Sequence, residues 1–254
     1  SVTFKEGGTN FTNSLLVGTS STGTLDAAQN NTGVGLGVFA ALTSGDNNVA
    51  VGKSALGTNT TGTSNTALGC GALFDNTTGG SNIAIGKGSL INNTTASDNT
   101  SIGTNAMIIN TTGACNVAVG SSALYSNTTA SNNTAIGVLA LGANTTGSTN
   151  VAIGRKTMCT NTTGANNTAI GNQSLEQNTT ADNNTAVGNA SLDANTTGAG
   201  NTALGQSSLG SNTTASDNTA VGHQALFTNV TGANNVAVGK NALYYNTAST
   251  NTAI

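Results

Sequence analysis

The sequence predicts an all-β fold, a parallel β-solenoid of about fourteen coils with seventeen residues each. Three observations predict it. Glycine recurs at one fixed spacing: Gly18, Gly35, Gly52, Gly69, Gly86, Gly103, Gly120, Gly137, Gly154, Gly171, Gly188, Gly205, Gly222 and Gly239. A self-similar period of this size is the mark of a stacked repeat architecture. The residue before each glycine is branched and apolar, as in Val51, Leu68, Ile85 and Val238, and from Ala50 to Ala237 the one before that is small. Asparagine recurs in two further phases, so each repeat carries the same polar residues at the same places.

Counting from the glycine, the strand comes first. From Gly52 onward, position minus three is Val, Ile or Thr, minus two is Ala or Ser, and minus one is Val, Ile or Leu. β-Branched residues favour a pleated surface. An apolar run of this length ended by Gly is too short for a helix, and Asn, Thr and Gly are poor helix formers. Each repeat is therefore expected to hold two or three short strands joined by tight corners. Gly at the zero position suits a bend with positive φ or no room for Cβ. The Thr-Thr-Gly or Thr-Thr-Ala run at plus eight to plus ten suits a second corner. Leu or Met at plus four, from Leu56 to Leu243, joins the Ile/Val column as the expected core.

The asparagines come next. The plus-seven column holds Asn59, Asn76, Asn93, Asn110, Asn127, Asn144, Asn161, Asn178, Asn195, Asn212, Asn229 and Asn246, and a minus-four column runs from Asn31 to Asn235. If each repeat is one coil, identical amides lie about 4.8 Å apart. An amide has donors and an acceptor, so a buried column can bond to the copies on either side. Fourteen coils at that spacing make a rod on the order of 65 Å long. Asn/Thr/Gly-rich disorder is the competing reading of such a composition, but disorder would not hold one apolar phase through so many copies.

The strand is free of charge on both sides. One side lines the coil and the other presents either an Ala column or a Val/Ile/Thr column. A long exposed column of that kind exceeds what a soluble monomer usually shows, so lateral association into a homotrimer is expected, with closed cyclic symmetry. The alternative is a monomer whose Ala and Leu columns share one core.

Residues 1–17 lack the repeat and are expected to link or cap the repeat domain, 18–254. Ser1 to Lys5 reads as a strand and Gly7-Gly8 as a turn. The next two repeats are degenerate, with Leu25 and Leu42 where later copies have Asn. The chain has no initiator Met, and Asn251 to Ile254 restarts the motif one residue early. The repeat is accordingly expected to continue in a longer chain.

Only 6% of residues are charged and the net charge is −3, against about 25% charged in a typical domain. Nothing points to nucleic acid. No apolar run approaches the roughly twenty residues of a membrane-spanning helix, so no membrane insertion is expected. Cys70, Cys115 and Cys159 fall at different phases of the repeat and show no metal spacing. No cofactor or metal is expected, and the three thiols are read as free.

Candidate chemistry is sparse. Lys53, Lys87, Arg155, His223 and Lys240 share the plus-one column. This edge is expected to face solvent, either as a solvated rim or as a contact for an acidic glycan. Glu176 and Asp193 share the plus-five column in successive repeats and could lie near one another. Asp98 and Asp217 share a column but stand seven coils apart, about 33 Å, too far for a glycosidase pair. The expectation is a protein that is not an enzyme. Eleven copies of the plus-seven Asn start an Asn-x-Thr acceptor pattern, which a buried ladder explains without glycan. The adjacent Thr columns raise ice binding, although neighbouring positions on a strand face opposite ways.

The runs Asn82-Ile83-Ala84-Ile85-Gly86 and Asn150-Val151-Ala152-Ile153-Gly154 resemble the head repeat of trimeric autotransporter adhesins. The longer form, with Ala-Leu-x-x-Asn-Thr-Thr-Gly, is similar to repeats of bacteriophage tail fibres and related surface fibres. The likeness covers Gly18 to Ile254. It implies a left-handed parallel β-roll with three chains to a rod, an extracellular place on a virion or bacterial surface, and attachment to host surfaces. On that resemblance the expected function is the shaft of a phage or bacterial surface fibre, with itself as partner and a surface glycan or receptor as target. The alternative is an adhesin head or ice-binding solenoid that meets its target through the repeated Asn/Thr columns.

Overall fold

A computed structural model of the chain describes residues 4–6, 10–18 and 22–254. Ser1 to Thr3 and the Gly7-Gly8 turn lie outside the described residues. The described chain is all β and turn, and the architecture is a parallel β-solenoid with a seventeen-residue spacing. It falls into two compact units, Ser1–Thr129 and Ala130–Ile254.

In the first unit, β1 (Phe4–Glu6) runs antiparallel to β3 (Leu15–Val17), pairing Phe4 with Val17. A side pair, β2 (Phe11–Thr12) with β4 (Ala28–Gln29), is parallel. Each later coil contributes one strand: β5 (Thr32–Val34), β6 (Val49–Val51), β7 (Thr66–Leu68), β8 (Ile83–Ile85), β9 (Thr100–Ile102) and β10 (Val117–Val119). These pair in parallel from β3 onward, and equivalent residues face each other, as in Ala50 opposite Ala67. The second unit repeats the plan with β11 (Thr134–Ile136), β12 (Val151–Ile153), β13 (Thr168–Ile170), β14 (Thr185–Val187), β15 (Thr202–Leu204), β16 (Thr219–Val221), β17 (Val236–Val238) and β18 (Thr252–Ala253).

Most coils therefore hold one strand, not the two or three expected. The reason is in the backbone. Four positions of a coil take positive φ: Gly52 at 131°, Ser54 at 58°, Leu56 at 48° and Ser64 at 60° in one example. A strand cannot pass through such residues. The remaining chain still bonds to its neighbour, coil upon coil. Thr58 N donates to the Phe74 carbonyl at 3.1 Å, and the amides of Thr60, Thr61 and Gly62 converge on the Thr77 carbonyl at 2.9, 3.1 and 3.3 Å.

The core differs from expectation as well. Ala at minus two is fully buried, as in Ala50, Ala84 and Ala152, together with Ala or Ser at plus three and Leu or Met at plus four. The Val/Ile column at minus one, expected inside, is half-exposed or exposed: Leu68 is 46% accessible and Ile136 38%. A three-residue strand has one inward position, since side chains alternate. That position faces Leu56 and its equivalents across a narrow coil, and only a small side chain fits. Ser101, which replaces Ala at minus two, keeps its hydroxyl satisfied inside by Ser89 Oγ at 2.8 Å and the Ala106 carbonyl at 3.0 Å.

Candidate functional site

Two asparagine columns organise every regular coil. At plus seven, Asn76 Nδ2 donates to Asn59 Oδ1 at 2.8 Å and Asn93 Nδ2 to Asn76 Oδ1 at 2.9 Å. The column continues to Asn127 in the first unit, and from Asn144 to Asn229 in the second. The second proton of each amide goes to the carbonyl at plus ten of its own coil, as in Asn76 to Gly79 at 2.9 Å. The minus-four column uses the same carbonyl: Asn65 Nδ2 donates to Gly79 O at 2.9 Å, and its backbone N–H to Asn48 Oδ1 at 2.9 Å. These side chains are fully buried. An unmade bond there would cost about 1–3 kcal/mol.

Within each column the later coil always donates to the earlier one. Leu42, fully buried, occupies the place before Asn59, where a hydrocarbon side chain demands no partner. Asn246 departs from the expected ladder. Its Nδ2 turns to the Ala248 carbonyl at 2.8 Å, because the final coil is one residue short and Asn251 pairs with Asn235 at a separation of 16. Asn229 Oδ1 is consequently buried without a partner. The glycine column bends each coil where the next passes closest. A Cβ on Gly52 would stand 2.6 Å from the Gly69 carbonyl oxygen, and φ there is +131°.

The outer face of the strands carries Val, Ile, Leu and Thr at minus three and minus one. Val49, Leu68 and Ile83 in the first unit, and Ile136, Ile170 and Leu204 in the second, are among its exposed members. No charged residue stands at these positions in β6 to β17.

The basic plus-one residues Lys53, Lys87, Arg155, His223 and Lys240 are all exposed, as expected. In the second unit only His223 and Lys240 sit in successive coils, and in the first Lys53 and Lys87 stand two coils apart. They form a sparse edge, not a continuous stripe.

Glu176 and Asp193 lie in a plus-five column that also holds Cys159. Glu176 is buried. Its Oε1 faces Lys156 Nζ at 3.7 Å and Cys159 Sγ at 3.8 Å, and its Oε2 accepts from Gln173 Nε2 at 2.7 Å. Burial, then the nearby Glu176 charge, raises the Asp193 carboxyl above the usual carboxylate range. Burial and Glu176 likewise push the Cys159 thiol up, against a smaller opposing pull from Lys156. Asp193 Oδ1 is buried without a partner. Among the described residues no group of His, Cys, Asp and Glu is arranged to hold a metal ion. Cys70 and Cys115 are exposed free thiols and Cys159 a half-buried one.

The plus-seven Asn of each Asn-x-Thr pattern from Asn59 to Asn229 is inaccessible, so the folded coil offers that column to no glycan. The two Thr columns divide as adjacent positions do. The plus-eight hydroxyls are spent on the neighbouring coil, as in Thr60 Oγ1 to Thr77 O at 2.9 Å, while Thr61, Thr78 and Thr95 at plus nine face solvent.

One feature escaped the sequence reading. Phe227, Tyr244 and Tyr245 form a stacked aromatic group in the last coils, with Tyr244 5.3 Å from Phe227 and 4.6 Å from Tyr245 between ring centres. The signal was two aromatics at plus five in successive repeats, the only such pair in the chain.

Comparison with family models, with curated proteins and with solved structures finds no match to this chain. No helix among the described residues is long and apolar enough to cross a membrane.

Proposed function

We propose that this chain is a structural shaft of a surface fibre, phage or bacterial, and that it works as a homotrimer closed through the outer strand face. The observation that carries this reading is the uncharged Val/Ile/Leu/Thr face repeated in every regular coil of both units, with Leu68, Ile136 and Leu204 exposed. Apolar surface repeated in this way favours a partner with the same repeat, and a cyclic arrangement of identical chains leaves no face uncovered. Buried amide columns and coil-to-coil backbone bonds supply the cohesion a shaft needs. The extracellular setting and host attachment rest on the resemblance of the repeat to tail-fibre and adhesin-head sequences.

The test is the mass of the native particle by light scattering. A value near three times the 24.6 kDa of one chain supports the reading, and a monomer at working concentration removes it.

A second reading has one observation behind it: the exposed Thr column at plus nine. It favours direct surface or ice contact by that column. The Asn columns are spent inside the coils and offer nothing to such a target. Thermal hysteresis in dilute solution separates this reading from a shaft.

A further inference from the structure

We propose that the aromatic group of the last coils is a carbohydrate-binding site, taking a pyranose unit of a surface glycan. Gln224, Asn241, Tyr244 and Tyr245 line a cleft of about 540 Å³, within the size range of small-molecule sites and roomy enough for a mono- or disaccharide. The inference stands on this single chain and does not need the fibre reading.

The repeat explains how the cleft is built. Gln224 and Asn241 occupy plus two of successive coils, and Phe227 and Tyr244 occupy plus five. Side chains at these two places meet, as the 2.7 Å bond between Gln173 and Glu176 shows three repeats earlier in the chain. Planar amides are thereby set beside aromatic rings. Phe227 stacks under Tyr244 with an interplanar angle of 27°, which fixes the Tyr244 ring. Tyr245 meets Tyr244 edge-on at 67° and is 85% exposed. Neither the Gln224 nor the Asn241 side-chain amide is spent on a hydrogen bond among the described residues.

The chemistry fits a pyranose. An aromatic face is electron-rich, and the axial C–H bonds of a sugar ring present a weakly positive, apolar face to it. A primary amide offers donors and an acceptor on one plane, which matches a pair of neighbouring hydroxyls. A nucleobase would also stack on such rings, but the net charge of −3 works against a polyanion. His223 and Lys240 precede Gln224 and Asn241 in the chain and are exposed, so an acidic sugar has a cation within reach of the same coils.

The test is saturation-transfer NMR on the whole chain with three probes: cellobiose, chitobiose and digalacturonic acid, each at about 10 mM, a concentration that detects millimolar affinity. Transfer from tyrosine protons to the sugar C–H groups is expected for at least one of them. Tyr245→Ala should weaken that binding about tenfold, and Tyr125→Ala, an exposed tyrosine of the first unit, should leave it unchanged. Because Tyr245 projects into solvent, its variant keeps the native particle mass, which separates loss of this site from loss of assembly. Tighter binding of the digalacturonate, erased by Lys240→Ala, assigns an acidic glycan, whereas equal binding of the neutral sugars assigns a neutral one. Absence of transfer for all three probes, undiminished binding by Tyr245→Ala, or binding of oligothymidylate alone overturns the proposal.

Discussion

Asn65 and Asn76 donate to the same acceptor, the carbonyl oxygen of Gly79, each at 2.9 Å. The two amides approach it from opposite arms of one coil, and each also joins its own column. The Gly79 carbonyl is thus the knot that ties both columns to the corner at plus ten. The same arrangement recurs at Gly62, Ala96 and Gly113, and in the second unit at Gly147, Gly164, Ala181, Gly198 and Ala215. Four predictions follow from this and the neighbouring features.

Asn144→Leu removes the donor to Gly147 and the acceptor of Asn161, both buried. The expected loss is about 2–4 kcal/mol, the cost of leaving two polar groups unpaired. Val138→Ala, at an exposed site, should cost under about 0.5 kcal/mol. Denaturant midpoints of the two variants check the difference; equal midpoints would count against load on the columns.

Gly69→Ala should be far worse than Gly71→Ala, although both glycines have positive φ. A Cβ on Gly69 lies 2.5 Å from the Gly86 oxygen, a backbone atom that cannot move aside, whereas one on Gly71 meets only the end of Ile91 at 3.3 Å. Other coils carry Ser54 or Asn105 at the Gly71 position. The first change should cost about 3 kcal/mol or more and the second about 1 kcal/mol, read from thermal unfolding.

Leu124→Ala and Ile102→Arg separate the interior from the outer face. Leu124 is fully buried, and its truncation should cost about 2–5 kcal/mol. Ile102 points outward and is half-exposed. Its replacement by Arg should lower particle mass while circular dichroism stays native. Retention of the parent mass by Ile102→Arg would sink assembly through that face.

Asp193 gives a pH dependence. Its carboxyl pKa is raised in the folded state by burial first and by Glu176 second. The folded form therefore binds its proton more tightly than the unfolded chain does, and stability falls as pH rises from the unfolded value through the folded one. Asp193→Asn should melt higher than the parent at pH 7 and should lose the parent's gain in stability on mild acidification. A parent melting temperature that is flat across that window would refute the linkage.

Much of this architecture was legible in the repeat. Because the coil length equals the sequence period, a column in the alignment is a column in space, and the Asn59 to Asn229 ladder could be read before any coordinates. The sidedness of the strand was not. Alternation shows that Ala84 and Ile85 face opposite ways, but apolarity alone favours Ile inside, and only the narrow interior selects Ala. The number of strands per coil was hidden for a related reason. The left-handed positions are filled by Leu56, Ser54 and Gln173 and not only by Gly or Asn, so ordinary turn signals are missing. Of the candidate surface residues, the exposure of Lys53 and its companions was readable from a column that accepts any residue. The tyrosine cleft was not, because it lies where the repeat departs from its own rule.

The one-way donation of the asparagine columns has a consequence of its own. Every amide dipole in a column points along the stack in the same sense, so within each unit the contributions sum as peptide dipoles do in a helix, and each bond polarises the next. The layers are chemically unlike on their two sides. In the first unit the series is closed before Asn59 by the hydrocarbon of Leu42, and in the second it finishes at Asn229 on a buried oxygen without a partner. Each regular coil thus turns amide protons toward one neighbour and amide oxygens toward the other, so such a stack has a preferred heading written into its amides.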